Sequence, residues 1–218
     1  MLAETKFRGI FVDYEPTQNP YFKLIVDEAL AKLNEKPVGR RLLRKISRTN
    51  PPGDEAYKVA IYSATGARGP GQAEFIDLRF DHTMTLKSGC SAADDAWAGL
   101  EKRGGVGSVA GAINRTNAEN GTGSRVRLRY NDKDIYVAKV GGKNIMIPAF
   151  IPSAHELIHA LHSVEGTLIE RSKKTSVEGK QIVAEEARTT GIGKYSGEKI
   201  SENAIRGEWG FPGRKSYP

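Results

Sequence analysis

The segment His155-Glu156-Leu157-Ile158-His159 constrains this chain more than any other. Positions i and i+4 of a helix share one face, so the spacing predicts a helix that aims both imidazoles at one point. Two converging imidazoles suit a divalent metal ion, and Glu156 lies beside that point without being a ligand. Zinc fits best, because imidazole and carboxylate hold it tetrahedrally and leave one position open. In such a site Glu156 serves as general base: it takes a proton from the attacking water and returns it to the leaving amine. The competing reading is a surface-to-core helix with two histidines by chance, Ser153 and Glu156 forming only a capping box. The extended segment ahead of the motif, Ser153 as helix N-cap, and apolar Leu157, Ile158, Ala160 and Leu161 on the buried side favour the metal site.

Composition narrows the metal chemistry further. Cys90 is the only cysteine, which excludes an internal disulfide and any multi-cysteine zinc or iron–sulfur site. The chain has four histidines, three of them at 155, 159 and 162, so the metal is held by histidine and carboxylate. His162 lies further along the helix and is expected beside the site rather than in it. The third ligand must come from elsewhere. Glu165 occupies the position where some zinc peptidases place a third histidine, so that pattern is absent. Glu185 and Glu186, in Val-Ala-Glu-Glu-Ala-Arg-Thr-Thr-Gly, are the leading candidates; Glu165, Glu170 and Glu178 are weaker. Neighbours on a helix point about 100° apart, so one of the pair binds metal and the other holds a histidine ring or a cation. Two solvated helix glutamates are the plainer alternative. At the C-terminus, Arg214 and Tyr217 offer a cation and a phenol for a developing oxyanion, against the plainer reading of a frayed basic tail.

The pattern along the chain is helix, then strands, then helices, which predicts an α+β domain. Asn19-Pro20 opens an amphipathic helix over 20–35, and Pro37 and Gly39 separate it from a second, basic helical stretch. Strands are expected at 57–63, 75–80, 124–130 and 135–140, with 131–134 joining the last two as a hairpin, and a short extended edge segment at 143–151. A helix is expected within 88–123. Further helices are expected at about 153–165, 178–190 and 201–209, stopped by Gly166, Gly191 and Gly210. Residues 1–50 read as an N-terminal arm with helices, a candidate secretion or targeting region, and 51–218 as the catalytic domain. No stretch approaches the ~20 apolar residues of a membrane span, and the N-terminus lacks the apolar core of a signal peptide.

The net charge of +7 is unevenly spread. Lys36, Arg40, Arg41, Arg44, Lys45 and Arg48 occur without an acidic residue among them, and Arg125, Arg127 and Arg129 share one face of a strand. A solvated basic face is the simplest account. The rival function is a non-enzymatic binding protein that docks an acidic partner or nucleic acid on this surface, with any zinc structural. No nucleic-acid motif accompanies the charge, which counts against nucleic acid.

Taken together, HELIHALH at 155–162, EEARTTG at 185–191 and RKSY at 214–217 resemble the light chains of clostridial neurotoxins, gluzincin proteases that cleave host proteins inside cells. The length, those blocks and the closing SENAIRGEWGFPGRKSY resemble still more the NleD-like type III secreted effector metallopeptidases, which include short Hop-type effectors of Pseudomonas. The resemblance implies a zincin-like, gluzincin-type domain: a small mixed sheet packed on the HExxH helix, with C-terminal helices. It implies one zinc per chain held by His155, His159 and Glu186, and Glu156 as catalytic base. Arg214 and Tyr217 would stabilise the transition state, with Glu185 and Arg188 in support. It further implies a virulence protein, acting as a monomer, that a type III system delivers to the host cytoplasm with the help of a secretion chaperone. There it would cleave a host signalling protein such as a mitogen-activated protein kinase.

Overall fold

Strand β2 (Ile10–Asp13) and strand β3 (Val59–Ser63) run parallel, and parallel neighbours need a long crossover. Helices α1 (Phe22–Glu35) and α2 (Pro37–Arg48) supply it. The computed structural model describes residues 1–52, 57–63, 109–130, 136–140 and 143–216. Around β2 and β3, strands β1 (Leu2–Glu4), β4 (Val109–Ala112) and β5 (Val126–Tyr130) complete a mixed five-stranded sheet in the order β1-β2-β3-β5-β4. β1 and β4 are its antiparallel edges. The period-2 alternation puts Ile10, Val12, Val59, Ile61, Val126, Leu128 and Tyr130 on one buried face. Against that face lie Phe22, Val26, Leu30 and Leu33 of α1 and Leu42, Leu43 and Ile46 of α2. Helix α4 (Phe150–Val164), which carries the histidine motif, joins the same core with Leu157, Ile158 and Leu161. Burying each such side chain contributes roughly 1.5–3 kcal/mol. Helix α3 (Arg115–Glu119), capped by the Asn114 side chain, links β4 to β5.

The sequence reading is right about several of these elements and misplaces others. α1 begins at Phe22 without a side-chain cap, so Asn19 is not its N-cap. Pro37 does not separate the two helices; it opens α2 at the first turn, where a missing N–H costs nothing. Gly39 lies inside α2, where a Cβ would come 2.1 Å from the Leu33 carbonyl oxygen. The Glu208 carboxylate accepts from Val38 N at 2.9 Å, capping α2 from 170 residues away. At the other end, Lys58 Nζ donates to the Ile46 and Ser47 carbonyls.

The expected 124–130 to 135–140 hairpin is corrected. Both sides of β5 are taken, by β3 and β4. Strand β6 (Tyr136–Val140) pairs instead with β7 (Lys143–Ile147) in a separate two-stranded sheet. Pro148 follows β7 rather than lying in it, and α4 starts three residues before Ser153. Ser153 therefore sits within the helix and donates to the Ala149 carbonyl at 2.8 Å; it neither caps α4 nor forms a capping box. The expected helix over 178–190 is also corrected. Its first half is a hairpin of β8 (Lys174–Val177) and β9 (Lys180–Val183), and only α5 (Ala184–Thr190) is helical. Glu178 and Gly179 both have positive φ, the signature of a two-residue type I′ turn. Helix α6 (Glu202–Glu208) follows, capped by the Ser201 side chain. Gly166, Gly191 and Gly210 each take positive φ just past a helix end. The expected strand at 75–80, Cys90 and Tyr217 lie outside the described residues.

Candidate metal centre

Three elements converge at the site. α4 is buried almost all round and presents His155 and His159 on one side. α5 brings its first turn, with Glu185 and Glu186, against them. α6 brings Glu202 from behind.

His155 Nε2 and His159 Nε2 lie 3.1 Å apart. Glu186 Oε2 is 3.2 Å from the first and 3.3 Å from the second. These three atoms form a nearly equilateral triangle. Donors about 2.0–2.1 Å from a tetrahedral zinc lie about 3.3–3.4 Å from one another, so the triangle has the size of three ligands about one ion. The opposite nitrogens reinforce the fit. His155 Nδ1 donates to Glu202 Oε2 at 2.9 Å, and His159 Nδ1 donates to Glu185 Oε1 at 3.1 Å. With each Nδ1 proton committed to a carboxylate, each ring in its neutral form turns a bare lone pair to the same point, an arrangement that a cation satisfies.

Glu185 is a hub. Its Oε1 also accepts from His162 Nδ1 at 2.6 Å and from Thr189 Oγ1 at 3.2 Å, while Ile169 N donates to its Oε2 at 3.0 Å. Adjacent in sequence, Glu185 and Glu186 thus face different ways, as 100° per residue requires. Arg188 donates to the Thr167 carbonyl at 2.7 Å and ties α5 to the loop after α4.

The charges follow from this geometry. Burial disfavours a charged His155, but hydrogen bonds to Glu186 and Glu202 outweigh it and push the ring up to about 9. His159 is raised by Glu186, Glu185 and the nearby Glu156 carboxylate, again against burial. Glu186 is held well below the usual carboxylate range by the two rings. For His162 burial wins, and its pKa is lowered.

Glu202 is the residue that sequence reasoning misses. It is 2% exposed, and besides His155 it holds Arg206 Nε at 2.6 Å and Arg214 at 3.2 Å. Spacing gives no hint of it, 47 residues past His155. The available signal is a chemical rule: each metal-binding imidazole needs an acceptor for its second nitrogen, so two rings call for two further carboxylates. Arg214 reaches the site through Glu202, and Glu156 is half-buried beside His159. Among the described residues, His155, His159 and Glu186 are the one group with metal-holding geometry, and no helix is long and apolar enough to cross a membrane.

The fold has counterparts among solved structures. The light chain of botulinum neurotoxin serotype HA aligns with a TM-score of 0.55 at 12% identity, covering 92% of this chain and 56% of that one. The Clostridium botulinum serotype F light chain gives 0.54 at 13% identity, over 92% and 58%. The type C light chain, solved as an apo form with zinc removed, gives 0.53 at 12% identity, over 88% and 55%. The chain spans little more than half the length of these light chains and shares their zincin-like α+β fold. No curated protein sequence matches it. The model of peptidase family M91, described as an effector protein, matches residues 12–217, and the chain belongs to that family.

Proposed function

We propose that the protein is a zinc-dependent endopeptidase that binds one zinc ion per chain and cleaves a host protein after delivery into the host cell. The observation that carries the reading is the triangle of His155 Nε2, His159 Nε2 and Glu186 Oε2, with both Nδ1 atoms already engaged. His155, His159 and Glu186 would hold the ion, which supplies the Lewis acidity that side chains lack. The chain's own residues do the rest. Glu156 takes the proton of the attacking water and passes it to the leaving amine. Arg214 and Tyr217 would supply a cation and a phenol to the developing oxyanion. An extended substrate adds to the edge of β7, whose backbone offers a ladder of donors and acceptors. Glu185 and Glu202 keep the two imidazoles in register.

Membership in an effector family supports a target inside the host. The motif resemblance points to a signalling protein such as a mitogen-activated protein kinase, and to a type III system as the route of entry. The test is zinc content with cleavage of host-cell lysate read by N-terminal proteomics. Wild type should carry one zinc and generate new N-termini, and Glu156→Gln should carry the same zinc and generate none. Turnover retained in Glu156→Gln would sink the mechanism. A wild type that takes up no zinc would move the basic surface, and a binding function, to the front.

A further inference from the structure

Residues 212–216 lie in no helix or strand, yet Arg214 is tied down at three atoms. Its guanidinium donates to Glu202 Oε2 at 3.2 Å. Its backbone N–H donates to Asn203 Oδ1 at 2.7 Å, and its carbonyl accepts from Asn203 Nδ2 at 2.8 Å. One side-chain amide thus makes both hydrogen bonds that a neighbouring strand would make to residue 214. The same Nδ2 donates to the Gly191 carbonyl, the C-cap of α5, at 3.3 Å. Asn203 therefore touches the helix that bears Glu185 and Glu186, and sits next to Glu202 on the helix that supports His155. Arg206 adds a tie to the Pro212 carbonyl at 3.1 Å.

We propose that Asn203 is a positioning residue that latches the C-terminal tail, holding Arg214 against Glu202, the carboxylate that accepts from His155 Nδ1. It acts through Arg214. The inference rests on the peptidase reading for its catalytic consequence, while the latch itself can be measured without it. A flexible tail would leave Arg214 to find its place in each turnover; a latched one has that ordering cost met on folding. Only Asn can serve fully. Asp lacks the donor for the Arg214 and Gly191 carbonyls, and a shorter or longer side chain misplaces the amide.

The experiment compares Asn203→Ala, Arg214→Ala and the double variant as full-length, zinc-loaded protein. Kinetics use one peptide drawn from a proteome-derived cleavage library, and amide exchange at residue 214 is read by NMR. Arg214→Ala should lower kcat roughly 10²–10³-fold and Asn203→Ala roughly tenfold, with KM and zinc content little changed. The double variant should be no slower than Arg214→Ala alone, and exchange at residue 214 should accelerate in Asn203→Ala. Asn203→Asp, which keeps the acceptor for the Arg214 amide, should fall between wild type and Asn203→Ala; it also serves if the alanine variant misfolds. Additive losses in the double variant, or unchanged exchange at residue 214, would overturn the proposal. Arg214→Ala cleaving at the wild-type rate, with Glu156→Gln dead, would overturn it too while leaving the peptidase reading intact. A zinc-loaded wild type that cuts nothing would sink the peptidase reading instead, and amide exchange would still decide the latch.

Discussion

The Nε2 atoms of His155 and His159 face each other across 3.1 Å, and the other nitrogen of each ring is held by a carboxylate. Without a metal, only protons can occupy the space between them. Stability of the metal-free protein is therefore linked to pH. The folded-state pKa of His155, about 9, lies above the unfolded value of 6.5, so its stabilisation is fully present below pH 6.5 and is lost as pH rises through 9. The interval, about 9 less 6.5 at 1.36 kcal/mol per unit, corresponds to about 3 kcal/mol. Glu202, held down to about 2, works in the opposite direction: its contribution is present above about 4.5 and is lost as pH falls. In EDTA the urea midpoint should peak between these limits and drop from pH 6.5 to 9, whereas the zinc-loaded protein should show little change there. A flat metal-free profile from pH 6 to 9 would contradict the linkage.

The two adjacent glutamates of α5 should separate cleanly in metal content. Glu186→Ala removes one corner of the donor triangle and should abolish stoichiometric zinc. Glu185→Ala leaves the triangle but takes the carboxylate from His159 Nδ1 and His162 Nδ1, with only Thr189 Oγ1 left 3.2 Å from the former, and should weaken zinc roughly 10–100-fold while leaving one ion bound at saturation. Elemental mass spectrometry after dialysis against graded zinc buffers reads both. Equal loss in the two variants would refute the division of roles.

How much of this was legible in the sequence depends on range. The i, i+4 histidines of α4 are a local pattern, and so is the Glu185–Glu186 pair at the start of a helix. The hairpin ahead of that pair was also local but was hidden, because Glu178-Gly179 resembles the polar face of a helix. Only the positive φ of both residues reveals the turn. Ser153 would cap the helix only if the extended segment ran on to 151; β7 ends at Ile147, which lets α4 begin at Phe150. Glu202 and Asn203 were out of reach for another reason. Their role comes from α6 docking behind α4, and in the sequence they look like an ordinary acidic first turn. The cap that Glu208 places on α2 is likewise purely tertiary.

Gly39 offers a control away from the site. A Cβ at this position would lie 2.1 Å from the Leu33 oxygen and 2.8 Å from its carbonyl carbon, both backbone atoms that cannot turn aside. Gly39→Ala should force α1 and α2 apart and cost roughly 1–3 kcal/mol, as overpacking does. Urea denaturation should show a lowered midpoint, with zinc stoichiometry at neutral pH unchanged. A neutral effect would mean that the two helices do not approach so closely.

Glu202→Gln tests whether the carboxylate behind His155 orients that ring or only fills space. The change conserves shape but removes the negative charge that Arg206 and Arg214 share with the imidazole. A neutral amide can still accept from His155 Nδ1, so the protein should fold and zinc should stay bound with affinity reduced roughly 10–100-fold. The cost to stability should be larger than for a surface substitution, because Arg206 is buried and loses its ion-pair partner; breaking such a pair costs about 3–5 kcal/mol. Glu202→Asp keeps the charge but shortens the reach, and should restore stability more than zinc affinity. If Gln and Asp weaken zinc equally and neither affects stability, Glu202 does not link the tail to His155.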